Sequence, residues 1–296
     1  MMKSHLIKKM FAVVLVAAVV LVAGCEGEKK EVNLGVVNWA EGIAMTNLAK
    51  VILEDEMDYD VEVTTADVGP IFQDVVGGGT DAFMDTWLPV THKSYMDQHS
   101  DNVEVLGTNF EGAKIGLVVP KYVYDAGITS IADLNANADK FDGEIIGIDS
   151  GAGIMATTET AMTADNYDIT DLELMASSGP AMTATLGDKI DNEEFVVVTG
   201  WNPHWKFAKW ELKFLDDPKG IYGDAEVIKT VARKGLKDDM PEVAEFLANF
   251  EMDIAELGDL MGAIADAGDD KTPEDVAREW KNNHMDLVNS WLPETK

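Results

Sequence analysis

The chain has 296 residues, 46% of them hydrophobic, enough for one large domain or two ordinary ones built around a buried core. Acidic residues outnumber basic ones by 54 to 23, for a formal net charge of −31. No basic stripe interrupts that excess, which excludes a nucleic-acid partner; self-repulsion of this size keeps a chain dispersed and is best tolerated where salt screens it.

At the N-terminus, Lys3, Lys8 and Lys9 precede an apolar run, Phe11 to Val22, closed by Leu21-Val22-Ala23-Gly24-Cys25. A basic region, a short apolar region and small residues in that order read as a secretory leader over residues 1–24, the run being too short for a comfortable membrane span. Cys25 is the only cysteine, so no intramolecular disulfide is possible. Its setting resembles the bacterial lipobox, which implies a lipidated Cys25 as the mature N-terminus. Residues 25–30 then read as a polar tether between the lipid and the folded body.

From Glu31 onward short strand-like runs alternate with helical ones: Val32–Asn38, Gly42–Met57, Val61–Ala66, Pro70–Val76 and Ala82–Trp87. The habit repeats in Ile115–Val119, Glu144–Ile148, Ile154–Asn166, Leu172–Met175, Ala181–Ile190 and Phe195–Thr199. This alternation predicts α/β layers with largely parallel sheets. After about Asp224 the pattern reads as wholly helical, near 224–235, 241–250, 252–266 and 273–291, with Pro241 and Pro273 suited to first helical turns. Two similar α/β halves and a helical C-terminal tail suggest two lobes around a cleft. The expected division is lobe 1 at 31–115 plus 220–296 and lobe 2 at 116–219.

No phosphate loop, His-Glu-x-x-His, Gly-x-Ser-x-Gly elbow or zinc-spaced cysteine pair occurs, so neither a catalytic residue nor a metal or cofactor site is expected. An Asp85–His92 acid–base pair carries little specificity where acidic residues are this common. Three tryptophans share one position: Trp39, Trp87 and Trp201 each come at the end of an apolar strand run, and carboxyl ends of strands in open α/β sheets face the ligand crevice. Three indole faces converging there suit a quaternary ammonium, which has no hydrogen-bond donor and is held by aromatic faces. Trp205, Trp210, Trp280 and Trp291 read as packing residues. Asp149-Ser150-Gly151-Ala152-Gly153-Ile154-Met155 lies at a strand-to-helix turn, where backbone N–H groups and a helix N-terminus favour an anion such as a carboxylate. Only Arg233 and Arg278 are available as arginine clamps, and both fall in the expected helical tail, so backbone N–H groups must take that role.

With these residues in view, the chain resembles the glycine betaine/proline betaine binding proteins of osmoprotectant ABC importers over essentially its whole mature length. The carriers are Asn38-Trp39-Ala40-Glu41, Ala66-Asp67-Val68-Gly69-Pro70, Trp87-Leu88-Pro89-Val90-Thr91-His92-Lys93, Gly151-Ala152-Gly153-Ile154-Met155, Ser177-Ser178-Gly179-Pro180-Ala181-Met182-Thr183-Ala184 and Thr199-Gly200-Trp201-Asn202-Pro203-His204-Trp205. The resemblance implies an α/β, two-lobed type II periplasmic-binding-protein fold that closes over its ligand. It implies a cage of Trp39, Trp87 and Trp201 around the trimethylammonium group, with the N–H groups of Gly153 and Ile154 and the His92 side chain on the carboxylate. It also implies an ABC permease and its ATPase as partners, and a place on the extracytoplasmic face of the membrane. Choline, carnitine or sulfonium receptors, and an osmolyte-sensing receptor, are the alternatives on the same scaffold.

Overall fold

The computed structural model describes residues 30–294; the expected leader and Cys25 lie outside the described residues. The first half runs β1 (Lys30–Val36), α1 (Ala40–Met57), β2 (Tyr59–Thr65), α2 (Val68–Gly77), β3 (Ala82–Leu88) and α3 (Lys93–His99) into a long strand, β4 (Val103–Pro120). There follow α4 (Lys121–Asp125), β5 (Glu144–Ile146), α5 (Gly153–Met162), β6 (Glu173–Met175), α6 (Gly179–Asp191), β7 (Val198–Asn202), α7 (Lys206–Lys209) and β8 (Leu212–Phe214). The chain then runs through β9 (Glu226–Arg233), α8 (Leu236–Asp239), α9 (Pro241–Asn249), α10 (Ile254–Ala267), α11 (Pro273–Asn283) and α12 (Met285–Trp291). Among the described residues no helix is long and apolar enough to cross a membrane.

The strands stand in the order β2-β1-β3-β9-β4-β7-β5-β6, with β8 also on β4. β4 belongs to both halves, pairing with β9 from Val103 to Ala113 and with β7 from Lys114 to Val118. The outer strands are parallel as expected, β1 with β3 and β5 with β6 and β7. The centre is not: β9 is antiparallel to β3 and β4, and β4 to β7 and β8. A chain that leaves one half along β4 and returns along β9 must run in opposed directions where the two lie side by side.

The helical reading of 224–235 is therefore corrected. Glu226–Arg233 is a central strand, inserted between β3 and β4 with Ile228 and Val231 fully buried. Its β-branched Val227, Ile228, Thr230 and Val231 suit a pleated, two-sided burial, and the pairing on both edges decides the outcome. Arg233 accordingly closes a strand rather than a helix, bonded to Asp81 at 2.6 Å and Asp239 at 2.7 Å.

Beyond β9 the tail is helical. Pro241 and Pro273 each open a helix, and Thr272 with Asp275 and Asp253 with Glu256 form capping boxes that satisfy the first-turn N–H groups. The tail is tied to α1 by charge: Arg278 meets Glu54 at 3.0 Å and also Asp55, and Lys281 bonds Asp55 at 2.8 Å and Glu56 at 2.5 Å. α1 is thus held from behind, and its N-terminal end is left to face the other half.

Candidate ligand-binding site

Trp39 is the residue before α1, in extended backbone (φ −112°, ψ 146°), so its side chain leaves the helix axis just where β1 ends. Trp87 lies in β3 and Trp201 in β7, each one residue from the strand's last position. All three are buried, and together with Glu41, Thr91, His92, Ile115, Ile148, Ala152, Gly153 and Ile154 they line one cavity between the halves. The space between these walls is small, about 20 Å³.

One end of the cavity is rich in hydrogen-bond donors. Gly153 and Ile154 are the first two residues of α5, whose N–H groups have no acceptor within the helix. Glycine is required at 153: a Cβ there would stand 2.0 Å from the Thr91 carbonyl oxygen, contributed by the other half. Val90 and Thr91 are held in turn by Glu226 of β9, which accepts both backbone N–H groups at 2.7 and 2.9 Å and meets the Thr91 hydroxyl.

His92 completes that end. Its Nδ1 accepts the Trp87 backbone N–H at 2.9 Å, which assigns the ring proton to Nε2, and Nε2 is buried with no partner. Burial depresses the imidazole to about 3, so it is neutral throughout the physiological range and offers a donor without carrying a charge. The ring stacks on Trp39, centroids 5.7 Å apart and planes 15° from parallel. No Asp85–His92 hydrogen bond forms; the two are linked only through Trp87, whose indole Nε1–H donates to Asp85 Oδ1 at 2.8 Å.

Sequence reasoning left several contributors without a role. Glu41 accepts the Trp201 Nε1–H at 2.7 Å, and Asp149 accepts the Trp39 Nε1–H at 3.1 Å. Burial, with Asp85 nearby, holds the Glu41 carboxyl well above the usual range, and burial pushes Asp85 up to about 7. Lys206 packs its Nζ 4.0 Å from the Trp201 ring centroid, fully buried and without a hydrogen-bond partner. Burial drives that amine well below its ordinary value. Glu41 and Asp149 sat inside quoted motifs, Asn38–Glu41 and Asp149–Met155, but nothing in an acid-rich chain separates them from solvated carboxylates.

Trp205 and Trp210 stand apart, lining a wider groove of about 470 Å³ that contains none of Trp39, Trp87 and Trp201. Their faces already carry a cation of the chain itself, with Lys209 Nζ 5.6 and 4.9 Å from the two centroids. Trp280 and Trp291 are buried among the tail helices, as expected for packing residues.

The family model for the substrate-binding domain of ABC-type glycine betaine transport systems matches residues 30–283. The chain belongs to that family. The glycine betaine/carnitine transport binding protein GbuC of Listeria monocytogenes is 42% identical over 166 residues, 55% of this chain and 54% of that protein. The match thus spans about half the length of that relative. The lactococcal protein OpuAC, solved in a closed-liganded conformation with glycine betaine, is 38% identical with a TM-score of 0.81, covering 90% of this chain and all of that one. The glycine/betaine/L-proline-binding protein ProX of Borrelia burgdorferi is 33% identical with a TM-score of 0.84, covering 90% and 97%. The two-lobed type II binding-protein fold follows for this chain, with the cleft between its lobes.

Proposed function

We propose that the chain is an extracytoplasmic receptor that binds glycine betaine or a close quaternary-ammonium osmolyte and hands it to the permease and ATPase of an ABC importer, held at the membrane by a lipid on Cys25. The observation that carries this reading is the cavity itself, in which three indoles meet two free helix-start N–H groups and an unpartnered, neutral His92 Nε2–H. A trimethylammonium group against Trp39, Trp87 and Trp201 loses water without losing a hydrogen bond, and a desolvated cation on such faces gains about 2 kcal/mol or more. Gly153, Ile154 and His92 then supply N–H donors for a carboxylate, with no arginine. The lobe division at 31–115 with 220–296 and at 116–219 is supported by the change of partner along β4 between Ala113 and Lys114.

Glycine betaine, dimethylglycine, sarcosine and glycine keep one carboxylate and lose methyl groups stepwise. Each loss bares an N–H that indole faces cannot accept and removes apolar contact, about 0.8 kcal/mol per carbon at full burial. Affinity measured by calorimetry should fall at every step, and glycine bound more tightly than glycine betaine would overturn the reading. His92→Ala should weaken glycine betaine much more than choline, which has no carboxylate for Nε2–H to hold. Equal losses for the two ligands would assign His92 a purely structural role.

A further inference from the structure

Every cage indole spends its single N–H on a carboxyl group, but the three bonds are not equivalent. Trp87 donates to Asp85 two residues away on β3. Trp39, at the start of α1 in the first lobe, donates to Asp149, which follows β5 in the second. Trp201, on β7 in the second lobe, donates to Glu41, in the first turn of α1. The start of α1 therefore meets the opposite lobe twice, once as donor and once as acceptor.

We propose that Glu41 and Asp149 are positioning residues whose crossed bonds to Trp201 and Trp39 latch the lobes together and set the two indole faces that receive the ligand. The proposal rests on the reading of this cavity as the ligand site. An indole has one donor, so the direction of that N–H fixes the plane of the ring once its edge is packed. Each of these rings is oriented by a group it reaches only across the cleft. With the lobes apart, water satisfies both N–H groups and both carboxyls, so the bonds belong to closure and not to the fold of either lobe. Tyr95 adds a third crossing contact nearby, its hydroxyl donating to the Gly151 carbonyl at 2.9 Å. A bound cation and a closed cage then support each other: the ligand draws in both lobes, and their meeting turns the rings to face it.

Glycine betaine is the probe, followed by tryptophan fluorescence for affinity and release rate and by small-angle scattering for compaction. Asp149→Ala and Glu41→Ala should each raise Kd by about tenfold or more, mainly through faster release, as expected for losing a hydrogen bond to a carboxyl group. Ligand-induced compaction should shrink while the ligand-free melting temperature of Asp149→Ala stays at the wild-type value. Asp149→Asn and Glu41→Gln keep an accepting amide oxygen and should recover most of the affinity. The latch is overturned if Asp149→Ala binds within about threefold of wild type, if its ligand-free stability falls in step with affinity, or if the amide variants are as weak as the alanines. Those results leave the cavity assignment standing, whereas a wild-type protein that does not bind glycine betaine removes the assignment and the latch with it.

Discussion

Trp201→Ala should cost about 3–5 kcal/mol of folding stability, the range for emptying a large aromatic site in a core, and should raise the Kd for glycine betaine by about thirtyfold or more. Trp201 is 3% exposed and wedged between groups that depend on it: Lys206 Nζ on its face, Glu41 on its N–H and His204 against its edge at 4.9 Å between centroids. Removing the ring leaves a void within its own lobe, which sets the stability cost, and takes away the donor that reaches Glu41 across the cleft. Trp280→Ala is the matched comparison. Trp280 is also buried, at 5% exposure, and bonds Asp259 at 2.7 Å, but it lies among the tail helices away from the cavity. Its removal should cost comparable stability and leave affinity as it was. Denaturant melts with calorimetry on the same samples separate the two quantities, and Trp201→Phe, which keeps an aromatic wall without the N–H, covers the case in which the alanine protein does not fold. Wild-type affinity in the alanine and phenylalanine variants alike would remove Trp201 from the cage.

The stability gap between Asp85→Asn and wild type should widen in favour of asparagine as pH rises from about 4 to about 7, by about 1.4 kcal/mol per pH unit, and stay level above that. Asp85 is 1% exposed; Oδ1 accepts the Trp87 indole, while Oδ2 is buried without a partner. Burial raises the carboxyl to about 7 against the lowering effect of the indole bond. Below about 4 the group is protonated both folded and unfolded and contributes nothing to the difference. Between the two values the unfolded chain ionises and the folded one keeps its proton, so folding requires proton uptake and grows costlier as pH rises. Above about 7 both forms are ionised and the penalty, roughly 4 kcal/mol in all, is constant. Asparagine carries no such proton; it also removes the Asp85 charge that helps to raise Glu41, while the burial that is the larger cause of the Glu41 shift is kept in both proteins. Urea melts at fixed ionic strength across this range test it; a gap that does not change with pH would mean that Asp85 is ionised in the folded protein.

What could be read from the chain and what could not divide along physical lines. The indole positions were legible because a tryptophan at the end of an apolar strand run is a local pattern, and strand ends in this architecture point one way. The glycine turn at 151–153 reads as a place for an anion; what requires glycine at 153 in the structure is instead the Thr91 carbonyl, a contact from a distant part of the chain that no local pattern announces. β9 was misread because its surroundings are helical in pattern, and only pairing to β3 and β4, far apart in sequence, makes it a strand. The partners of the three cavity indoles were illegible in principle. Glu41, Asp85 and Asp149 are three acids among 54 acidic residues, and Lys206 looks like any surface lysine until the fold places its amine on an indole.

β4 carries eighteen residues through both lobes without a break, and its ladder with β9 slips register between Val105 and Thr108, between Thr108 and Phe110, and between Glu111 and Ala113. Gly112, with φ +80°, sits in the last of these slips, one residue before the strand ends its pairing with β9. A continuous strand cannot act like a door hinge, because swinging freely would tear hydrogen bonds on one edge or the other. What it permits is torsion concentrated where the ladder is already irregular, as in a leaf spring thinned at one point. A cleft that opens about such a strand is expected to do so by a small twist near Gly112, since the ladders with β9 and β7 hold the backbone on either side of it.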